Sequence, residues 1–206
     1  SLPITKDEDL DLSNSNFRSL RLLRNKYKDS PRSACSKTLQ EYCNATDDEM
    51  RAACENIKRT TISIYTRSYH IKVVNWLLYS NKDYHRFGYM DNNLCKWCRT
   101  PNQTSRHLLW ECSAVKAFRT RLSRLCDRWT GGLKESLLGL GSMEQSFIFT
   151  ALNIFIHRCN HRGDNLSTRR FLSELRSTER TEFSIAARNN KTRIHLRKWM
   201  HIMPVV

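Results

Sequence analysis

The chain has 206 residues, enough for one ordinary core or two small modules sharing one. It is 39% hydrophobic and 27% charged with a formal charge of +15, and its six Gly and four Pro argue against a turn-rich β fold. No apolar run approaches a bilayer span and residues 1–12 are acidic and polar, so neither a membrane-spanning segment nor a signal peptide is expected in this sequence.

The charge is uneven. Residues 1–60 carry eleven Lys/Arg and ten Asp/Glu, a net of +1; residues 61–206 carry twenty-four and ten, a net of +14. This divides the chain into a near-neutral helical linker segment, 1–60, and a basic helical domain, 61–206. A surplus of this size favours a polyanion. The opening Ser1 suggests a fragment or processed product.

Residues 1–14 read as an acidic, polar lead-in. A helix is expected after Asn14 or Ser15, with Phe17, Leu20 and Leu23 at helical spacing, stopped by Pro31. A second, short helix covers Ser33 to Tyr42. Thr46 followed by Glu49 forms a capping-box signature for a third. From Met50 to Tyr79 the pattern is helical throughout. Ile62, Tyr65, Tyr69, Val73 and Trp76 form one stripe, widened by Ile57, Ile64, Ile71, Val74, Leu77 and Leu78. Thr60-Thr61 and the β-branched residues of this run could bend it or split it in two, with no particular break marked. Asn81 to Asp83 reads as a turn.

Next comes Cys95-x2-Cys98-x8-His107-x4-Cys112. Four soft or borderline ligands in this order match the number a tetrahedral Zn2+ takes, and a closed set of four leaves no position for a substrate water. One structural zinc in a small knuckle, 95–112, is the expectation. A catalytic zinc would need an open position and a base, for which only Glu111 offers itself. With the cluster accounted for, reduced cysteines in the cytosol or nucleus are expected rather than disulfides. Cys35, Cys43, Cys54, Cys126 and Cys159 read as small buried apolar residues, with Cys159 beside His157 and His161 as a weaker second metal group.

Around the ligands stand Lys96, Trp97, Arg99, Arg106 and Trp110. Cations next to aromatics suit single-stranded or looped nucleic acid, through phosphate contact and base stacking. Trp110, beside Leu108 and Leu109, reads rather as core. Ser113 caps the clearest amphipathic helix, 113–129, with Val115, Phe118, Leu122, Leu125 and Trp129 inward. Lys116, Arg119, Arg121, Arg124 and Arg128 fall outside that sector as a basic face. Gly131-Gly132 ends the helix. Leu137 to Gly141 reads as an apolar loop.

Residues 144–160 are apolar on nearly every side, the mark of a buried central helix. Ser167 caps a last long helix to Asn189, with Phe171, Leu172, Leu175, Phe183 and Ala186 inward. A tail, Lys191 to Met203, carries Arg193, Arg197, Lys198 and Trp199. The fold class expected is all-α, a multi-helix domain with one small Cys-Cys-His-Cys knuckle inserted between helices. No Gly-rich phosphate loop, polymerase-like carboxylate pair or Ser/His/Asp arrangement stands out, so no catalysis is expected of this fragment.

The stretches Tyr69–Trp76, His85–Asp91, Cys95–Cys98 and Thr104–Cys112 together resemble the C-terminal zinc-knuckle region of reverse transcriptases from non-LTR, LINE-type retrotransposons of the LINE-one clade. Leu137-Leu138-Gly139, the apolar helix and Trp199 in a basic tail are similar to the same region, so the resemblance spans about residues 60–203. It implies a non-catalytic part of an endonuclease and reverse transcriptase that binds the element's RNA, in its 3′ region, for target-primed reverse transcription. Target DNA and the polymerase portion are further implied partners, and the implied setting is a cytoplasmic ribonucleoprotein and the nucleus. The alternative is a protein-interaction module whose basic face docks on an acidic surface of the polymerase, with nucleic-acid contact incidental.

Overall fold

The structure, a computed structural model, describes residues 34–61 and 63–202. The acidic lead-in, the helix expected after Asn14, residue 62 and the side chains of Cys35, Ile57 and Arg128 lie outside the described residues. Ala34 onward forms one compact unit, so residues 34–60 fold with the basic half of the chain despite their near-neutral charge. Every regular element among the described residues is helical: α1 Ala34–Cys43, α2 Asp47–Thr60, α3 Ile64–Val74, α4 Asn81–Arg86, α5 Ser113–Ser123, α6 Leu133–Leu138, α7 Met143–Arg162, α8 Thr168–Arg188 and α9 Thr192–Ile202. A π-helical turn, His107–Glu111, precedes α5, and a 3-10 turn, Asp127–Trp129, follows it.

The central element is α7. It buries Phe147, Ile148, Phe149, Leu152, Ile154, Phe155, Ile156 and Cys159, and α2, α3, α6, α8 and α9 all pack on it. Its ends are set by local chemistry. Ser142 and Gln145 form a capping box, and Gly163 closes the last turn at φ 76°, a left-handed conformation that glycine takes without a Cβ penalty. The Thr46–Glu49 capping box at the start of α2 forms as expected.

The long run from Met50 divides at Thr61, which is extended at φ −146°, ψ 147°. Its inward stripe is narrower than the periodicity suggests. Tyr69, Val73, Val74 and Leu78 are buried, whereas Ile64, Tyr65, Ile71 and Leu77 are exposed. The turn expected at residues 81–83 is the start of α4, capped by Ser80 with Asp83. Of the loop expected at 137–141, Leu137 and Leu138 are the last residues of α6, which Gly139 ends at φ 63°, and the loop proper starts there. A Cβ at Gly139 would also lie 2.9 Å from His70 Cε1, so two independent constraints hold this position to glycine.

The helix expected over 113–129 stops at Ser123. Leu125 is therefore exposed, and Trp129 returns to the core through the 3-10 turn. Phe183 of α8 is exposed rather than inward. The basic tail is itself helical. It buries Trp199 and Ile202, and its Lys198 donates to Glu182 at 2.7 Å while Trp199 Nε1 donates to the same carboxylate at 3.2 Å. Thr61 also donates to Glu182, so this buried carboxylate joins the α2–α3 junction, α8 and α9. Among the described residues no helix is long and apolar enough to cross a membrane.

Candidate metal centre and basic surface

Cys95 and Cys98 lie in the twenty residues between Arg86 of α4 and the π-helical turn that carries His107. Arg99 takes a left-handed φ of 62°, and its N–H donates to Cys95 carbonyl at 2.9 Å, closing the tight turn between the two thiols. Thr104 Oγ1 accepts from His107 N at 3.2 Å, starting the π-helical turn, and Cys112 N donates to His107 carbonyl at 2.9 Å, ending it. Cys112 is also the N-cap of α5, one residue before the serine expected there, so a thiol faces the amides of the first helical turn.

The four ligand atoms all lie within 4.8 Å of one another. Cys95 Sγ and Cys112 Sγ are 3.7 Å apart, and Cys98 Sγ is 3.1 Å from His107 Nε2. Zinc–sulfur bonds of about 2.3 Å in a tetrahedron give a sulfur–sulfur edge of about 3.8 Å, so the first pair already stands at ligand spacing. The four side chains could hold one zinc ion. The Cys112 hydrogen bond draws the Cys95 thiol down to about 3, with help from Cys98, Gln103 and Trp97; the same shared proton and burial push Cys112 up. A cation between them would favour both as thiolates.

The loop is fastened to the bundle by buried polar contacts. Gln103 donates to Asn160 Oδ1 at 3.1 Å, Asn160 donates to Asn81 Oδ1 at 3.1 Å, and Asn81 donates to Leu94 carbonyl at 2.7 Å. Gln103 also supports the Cys95 sulfur, so one buried amide touches both the ligand and α7. Lys96 Nζ donates to Asn160 carbonyl at 2.8 Å, a cation on the negative end of α7. Trp97 Nε1 donates to Asp164 carbonyl at 3.1 Å. Lys96 and Trp97, expected among nucleic-acid contacts, are both engaged in docking the loop. Asn81, Gln103 and Asn160 stand out in no sequence pattern, because hydrophobic periodicity carries no signal for buried amides.

Arg106 pairs with Glu111 at 2.8 Å and lies over the Tyr42 ring at 4.0 Å. Glu111 is thereby occupied by a guanidinium, not aimed as a base. Arg99 is exposed. On α5, Lys116 and Arg121 are exposed as expected, as is Arg124 at its C-cap, but Arg119 is not. It donates to Leu109 carbonyl at 3.0 Å and Asn153 Oδ1 at 2.8 Å and lies over Trp110, and burial pulls its pKa down to about 10. The reason is its place on the wheel: four residues after Val115 and three before Leu122, it borders the apolar sector.

Exposed cations appear instead on α8. Arg169, Arg176 and Arg180 line a groove of about 670 Å³ with Leu125 and Leu172, and none of the three has an ion pair among the described residues. Their spacing of seven and four was the available signal. Comparison with protein family models, curated proteins and solved structures gives no match for the chain. Among the described residues only one group of metal-ligating side chains gathers. Cys159 is buried with its thiol pushed up to about 11, and it does not join His157 and His161.

Proposed function

We propose that this chain is an RNA-binding helical module, pinned by one structural zinc, from the C-terminal part of a LINE-type retrotransposon reverse transcriptase. The observation that carries the reading is the set of exposed α8 arginines without an ion pair among the described residues, together with exposed Lys116 and Arg121 on α5 and Arg124 just after it, in the part of the chain with a net of +14. The zinc would hold the start of α5 through Cys112 and so fix one side of that surface. The resemblance in residues 60–203 supplies the element's RNA as the partner. The test is binding of structured and single-stranded RNA across a salt series. Affinity should fall steeply with salt, with a slope that counts the phosphates neutralised; flat dependence would overturn the reading.

A second reading, docking onto the polymerase portion, is favoured by one feature. Ile64 and Tyr65 are 78% and 59% exposed beside a cavity of about 430 Å³ between α3, α7 and α8. Co-purification with the polymerase portion after nuclease treatment, lost in Ile64→Asp, would support it over RNA.

A further inference from the structure

Between α5, the 3-10 turn and α6 lies a cleft of about 250 Å³ lined by Lys116, Arg119, Trp129 and Ser136, with Ile148 and Leu152 of α7 as apolar wall. Three side chains of this lining carry buried polar atoms with no partner among the described residues: Arg119 Nε, Trp129 Nε1 and Ser136 Oγ. Trp129 is 6% exposed and Ser136 1%. Buried polar atoms are nearly always satisfied, so three around one cleft call for an explanation.

The chemistry of the set is one-sided. An indole N–H and a guanidinium N–H only donate, and a hydroxyl can donate. Among the described residues no carboxylate lines the cleft and Arg119 has no ion pair; its bonds go to a carbonyl and an amide oxygen. Water could satisfy the indole and the hydroxyl but would leave the buried guanidinium charge uncompensated. Lys116 adds a second cation at the solvent side.

We infer that this cleft is an oxyanion site that takes a phosphate group, with Arg119, Trp129 and Ser136 as donors and Lys116 at its mouth. The cavity is several times the share of one water, about 30 Å³, and its opening lets the rest of a larger ligand reach solvent. The phosphate comes either from a small free molecule or from a nucleic-acid backbone. The site stands independently of the α8 arginines.

The experiment uses the whole zinc-loaded chain, 15N-labelled. The Trp129 indole N–H resonance is assigned as the one lost in Trp129→Phe, and inorganic phosphate, sodium chloride at matched ionic strength and a short single-stranded oligonucleotide are titrated separately. Phosphate should move that resonance saturably, and chloride should not. Lys116→Ala and Ser136→Ala should each weaken phosphate about three- to tenfold, and Arg119→Lys by tenfold or more, as expected for loss of a charge-assisted hydrogen bond. If Arg119→Lys fails to fold, the other two variants decide. Movement with the oligonucleotide but not phosphate identifies the strand backbone as the source. No movement with either, equal movement with chloride, or unchanged affinity in Lys116→Ala and Ser136→Ala overturns the site.

Discussion

The loop before the π-helical turn and the α7–α9 bundle are ordered by different forces. Across residues 87–106 the buried residues are Cys95, Gln103 and Ser105, so this segment has almost no apolar core of its own. Along α7 alone, seven large apolar side chains are buried. A loop of this length without regular structure inside a compact unit needs another source of order, and the four ligand side chains and the amides of Asn81, Gln103 and Asn160 are what this loop has. The lesson is that a helical bundle can carry a long polar segment if its ends are fastened by directional bonds. The two regions should then fail separately.

The largest effect is expected from the ligands. Apparent zinc free energies of about 10–16 kcal/mol are typical of small zinc-folded peptides near neutral pH. Cys98→Ser, or chelation, should abolish one equivalent of bound zinc and leave the amides of the loop and the first turn of α5 unprotected against hydrogen exchange. Amides of α7 should stay protected. A chain without metal whose loop remains protected would break the comparison. Next in size, Phe155→Ala removes a fully buried ring packed at a tilt against Phe118 and Phe171. It should lower global stability by about 3–5 kcal/mol, read from denaturant midpoints, with the zinc-to-folded-protein ratio unchanged. Loss of zinc without a shifted midpoint would show that the loop, not the bundle, depends on this ring.

What could be read from sequence follows the same division. The gathering of Cys95, Cys98, His107 and Cys112 was legible because their spacing is local. The central helix was legible because residues 144–160 are apolar on nearly every side, and α2 because Thr46 and Glu49 announce its start. The short helices α4 and α6 and the basic α9 were not, since short helices draw their stability from packing that no local pattern records. Gly139 and Gly141 also made Leu137-Leu138 read as loop. Burial of polar side chains was the other blind spot. Glu182, Arg119, Asn81, Gln103 and Asn160 face inward because of partners far along the chain, as in the Thr61–Glu182 contact.

A smaller effect separates the regions by pH. His70 is buried, with Nε2 3.1 Å from Ala53 carbonyl and Nδ1 3.1 Å from Thr150 Oγ1. A carbonyl only accepts, so Nε2 carries a proton toward Ala53; the one Thr150 hydroxyl proton faces both Nδ1 and the Ser146 carbonyl, 2.9 Å away, and it is burial that disfavours the charged ring. Desolvation lowers its pKa to about 4, against an ordinary value near 6.5. The unfolded chain therefore binds the extra proton first, and stability is lost as pH falls through that window, by about 1.4 kcal/mol per unit and about 3 kcal/mol in all. His157 shifts the same way, through burial first and then the charge of His161. Acid also protonates the metal ligands, so the decisive measurement is the difference between the chain and His70→Gln, both in excess zinc. The variant should show a shallower decline between pH 6.5 and 4; identical slopes would mean that His70 titrates freely in the fold.

The smallest effects distinguish which cations fasten the loop and which meet a ligand. Lys96 donates to the last turn of α7, whereas Arg176 is exposed on the α8 groove. Lys96→Met should destabilise by about 1 kcal/mol, the loss of a hydrogen bond with a charged donor at a helix end, and leave the salt slope of RNA binding unchanged. Arg176→Gln should alter stability by no more than about 0.5 kcal/mol yet reduce that slope by about 0.7 for a single strand. Thermal melts and salt titrations on the two variants give four numbers. If Lys96→Met alone lowers the slope, the interface lies on the metal loop and the groove of α8 is a solvated surface. If Arg176→Gln alone lowers it, positioning and contact are divided between the loop and the bundle as their bonding implies.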